Sequence, residues 1–297
     1  MMDEFASLPE IARSISPTLQ VPVVRRANRT VDTRTVSGLH WGTSAPEVVF
    51  LHGNGQNAHT WDATILALGS PALAVDLPGH GHSDWHDDPD YTPSSHAAAV
   101  AGYLRHGAPN PCVLVGMSLG GLTAICLAVT QSTWVRHLVV VDVTPQSGLR
   151  VAARHAHDTG RVGPPAGSDH FVTFEDMVDA AAAVQPTRSR DGLRRGVRHN
   201  AIQGTDGLWR WRADHRRRVN ADSRPVDYSE QWSRVSELTV PVTLVRAARS
   251  GVVPLEDATE FVRRARTIEV VTIDTELHSV QSARPEELAE LVRSRLG

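Results

Sequence analysis

"VLVGMSLGGL", residues 113 to 122, decides how the chain is read. A β-branched apolar run meets Gly116-Met117-Ser118-Leu119-Gly120, and an Ala/Leu-rich segment, "LGGLTAICLAVTQ", follows at once. The pattern is strand, sharp turn, helix, and it fits G-x-S-x-G. A serine held on such a corner adopts strained backbone angles, and side chains two positions away on either side would collide, so glycine is needed there. The helix that starts directly after Ser118 points free N–H groups and its positive dipole end at the corner. This setting marks Ser118 as a candidate nucleophile and raises the question of its base and its acid.

Outward from this corner, short apolar runs alternate with helical patterns. "VPVV" (21–24) and "TVDTRTVSGLHWG" (30–42) look like an opening pair of strands. "EVVFLHG" (47–53), "ALAVDLPG" (72–79), "CVLVGMS" (112–118) and "VRHLVVVDVTP" (135–145) follow. "VVFL", "CVLV" and "LVVV" are apolar on both parities, as strands covered on both faces should be. The rhythm breaks between about residues 145 and 235 and returns with "VPVTLVRAA" (240–248), "IEVVTID" (268–274) and a last helix, "PEELAELVRSRL" (285–296). The expected architecture is a mostly parallel α/β sheet flanked by helices. Its core comprises residues 1–144 and 236–297, with a helical insertion over 145–235.

With 297 residues the chain can bury a large core. Hydrophobic residues make up 41% and charged residues 21%, as in ordinary globular proteins. The net charge of -3 gives no reason to expect nucleic acid or an anionic membrane as a partner, and the expected partner is a small molecule. All 30 cationic residues are arginine, which a GC-rich genome explains. Cys112 and Cys126 have neither metal-ligand spacing nor a disulfide framework around them. "MMDEFASLPE" has no apolar signal region, and no apolar run approaches a membrane span, so a cytoplasmic location is expected.

Three further stretches carry a family resemblance. "LHGNGQ" (51–56) is similar to a His-Gly turn, "DLPGHGHSD" (76–84) to a D-x-P-G-x-G-x-S loop, and "ELHSVQSARPEELAELV" (276–292) to a loop with a late catalytic histidine. With G-x-S-x-G they make the chain resemble an α/β-hydrolase-fold enzyme over roughly residues 20–145 and 236–297. The resemblance implies that His278 is the general base of Ser118 and that the N–H groups of Asn54 and Leu119 form the oxyanion hole. It implies no cofactor. His52 is expected to be structural through its backbone turn, and His52, Gly53, Met117, Trp209 and Trp211 are candidates for lining a pocket.

The imidazole also needs a carboxylate to fix its tautomer. In most relatives this is an Asp on the turn matched here by "VRAARSGVVPLED" (245–257), where the position holds Gly251; Leu277 also replaces the glycine that usually precedes the histidine. Asp142 in "VVVDVTP", at the end of the strand over 135–141, is the favoured substitute. Glu256 and Asp257 come next, Asp274 lies on the last strand, and a site with no acid is the remaining alternative. "HGHSDWH" (80–86) nearly spells a zinc-hydrolase signature, but Trp85 breaks the spacing and the D-x-P-G loop already accounts for it, so no metal is expected.

The insertion falls where this fold carries a cap that shapes the pocket. In "GLWRWRADHRRR" (207–218), Trp209 and Trp211 either wall an apolar substrate or pack the cap onto the core, and packing is favoured. The expected activity is serine hydrolysis of an ester, thioester or lactone through an acyl-enzyme. C–C bond hydrolysis, cofactor-free elimination or perhydrolysis, and a non-catalytic small-molecule binder are the alternatives. What separates the last of these is whether a carboxylate reaches the free ring nitrogen of His278.

Overall fold

A two-residue turn at Asp32 and Thr33, both at positive φ, joins β1 (Val24–Val31) to β2 (Arg34–Trp41) as an antiparallel hairpin. The computed structural model describes residues 3–87, 90–105, 111–148, 170–184, 189–214 and 227–297. Before the hairpin lies α1 (Leu8–Ile15). After it the chain alternates through β3 (Val48–Leu51), α2 (Asp62–Leu68), β4 (Ala72–Asp76), α3 (Pro93–Leu104), β5 (Cys112–Met117), α4 (Leu119–Thr130) and β6 (Val135–Val141). The insertion contributes α5 (Phe174–Val184), α6 (Arg190–Asn200) and a small hairpin of β7 (Ala201–Gln203) with β8 (Trp209–Trp211). The core resumes with α7 (Trp232–Glu237), β9 (Val242–Ala247), α8 (Leu255–Arg264), β10 (Ile268–Ile273), α9 (Val280–Ala283) and α10 (Pro285–Arg293).

The main sheet runs β1-β2-β4-β3-β5-β6-β9-β10, antiparallel over its first two strands and parallel from β4 onward. Its central strands are apolar on both parities because both faces are covered. In β3, Val49 and Leu51 join one core cluster and Val48 and Phe50 the other; in β6, Leu138 and Val140 face one side and Val139 and Val141 the other. The first cluster lies under α3, α4, α7 and α8, the second under α1, α2 and α10. Each fully buried Val or Leu contributes about 1.5–3 kcal/mol relative to exposure, so these strands anchor the fold.

The parallel strands end together on one edge. Ser118 N–H donates to the Val141 carbonyl at 3.1 Å, and Asp142 N–H to Val245 at 2.7 Å. The first residues past β5 and β6 are thereby held side by side, where open α/β sheets gather their functional groups.

The insertion has a small core of its own, built on Met177, Val178, Leu193, Val197 and Trp211. It docks on the loops after β3 and β4: Asn57 Nδ2 donates to Asn200 Oδ1 at 2.9 Å, Asp214 N–H to the Gly79 carbonyl at 2.8 Å, and Tyr91 Oη to Asp214. Trp232 and Val235, assigned to the insertion by the sequence, belong instead to the main core beside Leu238 and Val240. The sequence "HRRR" (215–218) lies outside the described residues. Cys112 and Cys126 are buried free thiols. Among the described residues no helix is long and apolar enough to cross a membrane.

The turn from β5 into α4 tolerates no added atoms. A Cβ on Gly120 would stand 2.2 Å from the Leu51 carbonyl oxygen and 2.6 Å from that of His52, both backbone atoms. Gly120→Ala is expected to destabilise the protein by about 3 kcal/mol through overpacking. Gly69→Ala, at a left-handed helix end with open space around it, should cost only about 1 kcal/mol. Urea midpoints of the two variants check the contrast; equal shifts would show that the turn relaxes around the extra methyl.

Candidate active site

Ser118 occupies a backbone conformation that L-residues avoid, φ 53° and ψ -121°. Packing enforces it. A Cβ on Gly116 would meet the Gly120 carbonyl at 2.2 Å, so the strand before the serine and the helix after it are nearly in contact. A Cβ on Gly53 would meet Met117 Sδ at 2.7 Å and Ser118 Cβ at 3.3 Å, which puts the His-Gly turn directly against the serine. Strain of this kind costs roughly 1–3 kcal/mol and persists only where the surroundings over-determine it.

His278 follows β10 and is buried, 2% exposed. Its Nδ1 lies 2.8 Å from Asp142 Oδ2, while its Nε2 is buried with no hydrogen-bond partner among the described residues. Asp142 is fully buried at φ 48°, a strained angle that Asp tolerates better than most residues. Its Oδ1 accepts from the Ala247 N–H at 2.9 Å, and its Oδ2 accepts from Ser250 Oγ at 2.7 Å as well as facing His278. Three donors, two from the turn after β9 and one from the loop after β10, therefore hold the carboxylate, which leaves the histidine one tautomer, with the proton on Nδ1 and the Nε2 lone pair free.

The other acidic candidates are directed elsewhere. Asp257 accepts from Thr144 Oγ1 at 3.2 Å, Asp274 pairs with Arg249, and Glu256 opens α8. Gly251 sits at φ 68° on an exposed turn, and its neighbour Ser250 supplies the hydroxyl that steadies Asp142. The sequence reading missed Ser250 because a serine beside a glycine in a turn carries no sign of a distant carboxylate.

The Asn54 and Leu119 N–H groups flank the serine, one on the His-Gly turn and one at the first residue of α4. Among the described residues neither is taken by a protein acceptor. His52 holds this turn from behind: its Nδ1 bonds the Gly53 carbonyl at 2.8 Å and its Nε2 accepts from Leu77 N–H at 2.9 Å. Burial lowers its pKa and keeps the ring neutral, as that pair of bonds requires. Gln56, a second residue the sequence did not single out, ties the turn to the histidine loop. Its Oε1 accepts from Gly53 N–H at 3.1 Å, and its Nε2 donates to Ser279 Oγ at 3.1 Å.

Several pocket candidates belong to the scaffold. His52 and Met117 are fully buried and brace the serine corner. Trp211, 2% exposed, and Trp209 pack edge-on against Phe171 and Phe174 inside the insertion's own core.

The D-x-P-G-x-G-x-S loop is a knot of hydrogen bonds. Asp76 Oδ1 accepts from Ala58 N–H at 2.7 Å, while Oδ2 takes His82 N–H and Arg26. Burial alone would raise the Asp76 carboxyl, but Arg26 and the two N–H groups hold it below its ordinary range. A Cβ on Gly81 would stand 2.3 Å from this carboxylate, which explains the glycine. The donors of "HGHSDWH" are dispersed rather than convergent: His80 Nδ1 faces the Pro78 carbonyl, and Asp84 Oδ2 accepts from Thr35 N–H.

The chain belongs to the alpha/beta hydrolase family, whose model matches residues 48–291. It is 45% identical to esterase Rv0045c of Mycobacterium tuberculosis over 99% of this chain and 96% of that one. A structure of that esterase, from work on its inhibition by transition metals, matches with a TM-score of 0.85 at 44% identity, covering 99% of this chain and 98% of the other. Lipase LipV of the same organism is 28% identical over 86% of this chain and 96% of its own. The thioesterase domain from the curacin biosynthetic pathway, at 18% identity and a TM-score of 0.73 over 92% of this chain and 99% of that one, shares the fold.

Asp142→Asn should keep the fold, since Asn tolerates the same backbone angle and keeps an acceptor for Ala247 N–H. Its amide Nδ2 then faces His278 and forces the wrong tautomer. Turnover of an ester substrate should fall about 10³–10⁴-fold. Ser250→Ala, which removes one of three donors, should cost only about tenfold. Steady-state rates with matched circular dichroism spectra check both, and near-normal turnover in the Asn variant would refute the role of Asp142.

Proposed function

We propose that this chain is a serine esterase in which Ser118, His278 and Asp142 act as a triad. The observation that carries the reading is the buried Asp142–His278 pair at 2.8 Å with the His278 Nε2 lone pair left unpartnered. Ser118 Oγ attacks the ester carbonyl as His278 Nε2 takes its proton. The buried carboxylate of Asp142 stabilises the imidazolium, and the N–H groups of Asn54 and Leu119 receive the negative charge that develops on the carbonyl oxygen. The imidazolium then protonates the departing alkoxide. Water, deprotonated by the same nitrogen, releases the acid from Ser118 and restores the enzyme. The resemblance to an esterase over nearly the whole chain supports ester hydrolysis over C–C bond cleavage.

The insertion, of which residues 170–184 and 189–214 are described, serves as the cap. Its docking through Asn200 on the turn after β3 supports this, because that turn borders the serine. Inhibition by transition metals, known for Rv0045c, extends to this chain by the same similarity.

Intact-mass spectrometry after a fluorophosphonate probe tests the reading. One probe should add rapidly to the wild type, with no addition to Ser118→Ala and addition slowed by at least about 10³-fold in His278→Ala. Equal labelling of wild type and His278→Ala would show that the serine is not activated by this histidine.

A further inference from the structure

Outside the serine site, one cluster of side chains has donors to spare. His59, in the 3-10 turn before α2, and Asp62, the first residue of α2, meet His199, near the end of α6, and their potential ligand atoms all lie within 4.8 Å of one another. They line one side of a cavity of about 360 Å³ that also touches Asn57, Asn200 and Gln281. Asp62 is 3% exposed, and its Oδ1 is buried without a hydrogen-bond partner among the described residues. An unsatisfied buried carboxylate oxygen is costly, and native sites resolve it with water or a cation. The His199 ring stacks on the His59 ring, with centroids 3.7 Å apart, and makes no hydrogen bond through either nitrogen to the described residues. His59 Nδ1 faces Asp62 Oδ2 at 2.9 Å and its Nε2 faces Glu4 at 3.0 Å.

We propose that Asp62, His199 and His59 form a binding site for a divalent transition-metal ion joining the insertion to the core. Two imidazoles and a carboxylate suit Zn²⁺, Co²⁺, Ni²⁺ or Cu²⁺ rather than Mg²⁺ or Ca²⁺. Asp62 Oδ1 and a His199 ring nitrogen offer free lone pairs. His59 joins through Nδ1, releasing to solvent the proton now shared with Asp62, and water from the cavity completes the coordination. A tetrahedral ion with bonds of ~2.1 Å holds its ligands about 3.4 Å apart. The site therefore tightens by roughly an ångström on binding, and the stacked rings must splay so that both lone pairs aim at the ion. Such an ion would clamp α6 to the segment that carries Asn57, and Asn57 adjoins Gln56, the link between the oxyanion turn and the histidine loop.

This inference deepens the metal sensitivity proposed above by giving it a location, and its test reads binding rather than activity. Isothermal titration with ZnCl₂ and the visible spectrum of added CoCl₂ are measured on the wild type, His199→Ala, Asp62→Asn and His278→Ala. The expected result is one equivalent bound with a tetrahedral Co²⁺ spectrum, affinity at least tenfold weaker in His199→Ala and in Asp62→Asn, and wild-type binding in His278→Ala. Thermal melts confirm that each variant is folded. Absence of binding to the wild type overturns the proposal, as does undiminished binding in both cluster variants or binding lost only with His278. A protein that is inhibited by metal through His278 would leave the sensitivity standing and remove this site.

Discussion

The structure depends on the close approach of backbone to backbone at the β5–α4 corner. Ser118 is held at φ 53° because Gly116 nearly touches the Gly120 carbonyl and Gly120 nearly touches the carbonyls of Leu51 and His52. No side chain fits in those gaps, so the strand, the helix and the His-Gly turn are locked in one arrangement. The strain is local, and the two apolar clusters that cover the sheet on both faces offset it. One packing constraint thereby sets the exposure of the serine hydroxyl, the direction of the α4 dipole and the position of the Asn54 N–H.

Around that corner the support is polar and buried, and it is satisfied by groups distant in sequence. His52 joins the β3 turn to Leu77, Gln56 joins it to Ser279, and Asp76 joins Ala58, His82 and Arg26. Glu4 completes the last set by pairing with Arg26, which anchors the N-terminal segment to the loop after β4. Each of these groups would be costly to bury alone, and each has a partner whose geometry fixes a loop. These bonds tie together the sheet edge that carries Ser118, although it is built almost wholly of turns.

The carboxylate that faces His278 follows the same logic. Asp142 comes within reach of His278 from the end of β6, and β6 and β9 are hydrogen-bonded neighbours that end at the same level. The turn around Gly251 takes part as well: Ala247 N–H and Ser250 Oγ both donate to the Asp142 carboxylate. A buried anion with three donors is well stabilised, whereas one with the histidine alone would leave lone pairs unmet.

The sequence by itself determined the class of fold, the serine corner and the two loops that flank it. These are written in local terms: apolar runs on both parities, glycines at fixed offsets from Ser118, and an aspartate, proline and glycines in one short loop. The sequence ranked Asp142 first but left its rivals open; tertiary structure decided that this carboxylate faces His278, that Ser250 and Gln56 bond around the site, and that Trp209 and Trp211 pack within the insertion rather than onto the core. It also brought His199 against His59 and Asp62. Each of these turns on a contact between residues far apart in the chain, such as Asp142 with His278 or Asn57 with Asn200, and strand order and helix docking create such contacts. Local pattern records what a segment becomes; the partner a buried polar group meets is set only when the segments pack.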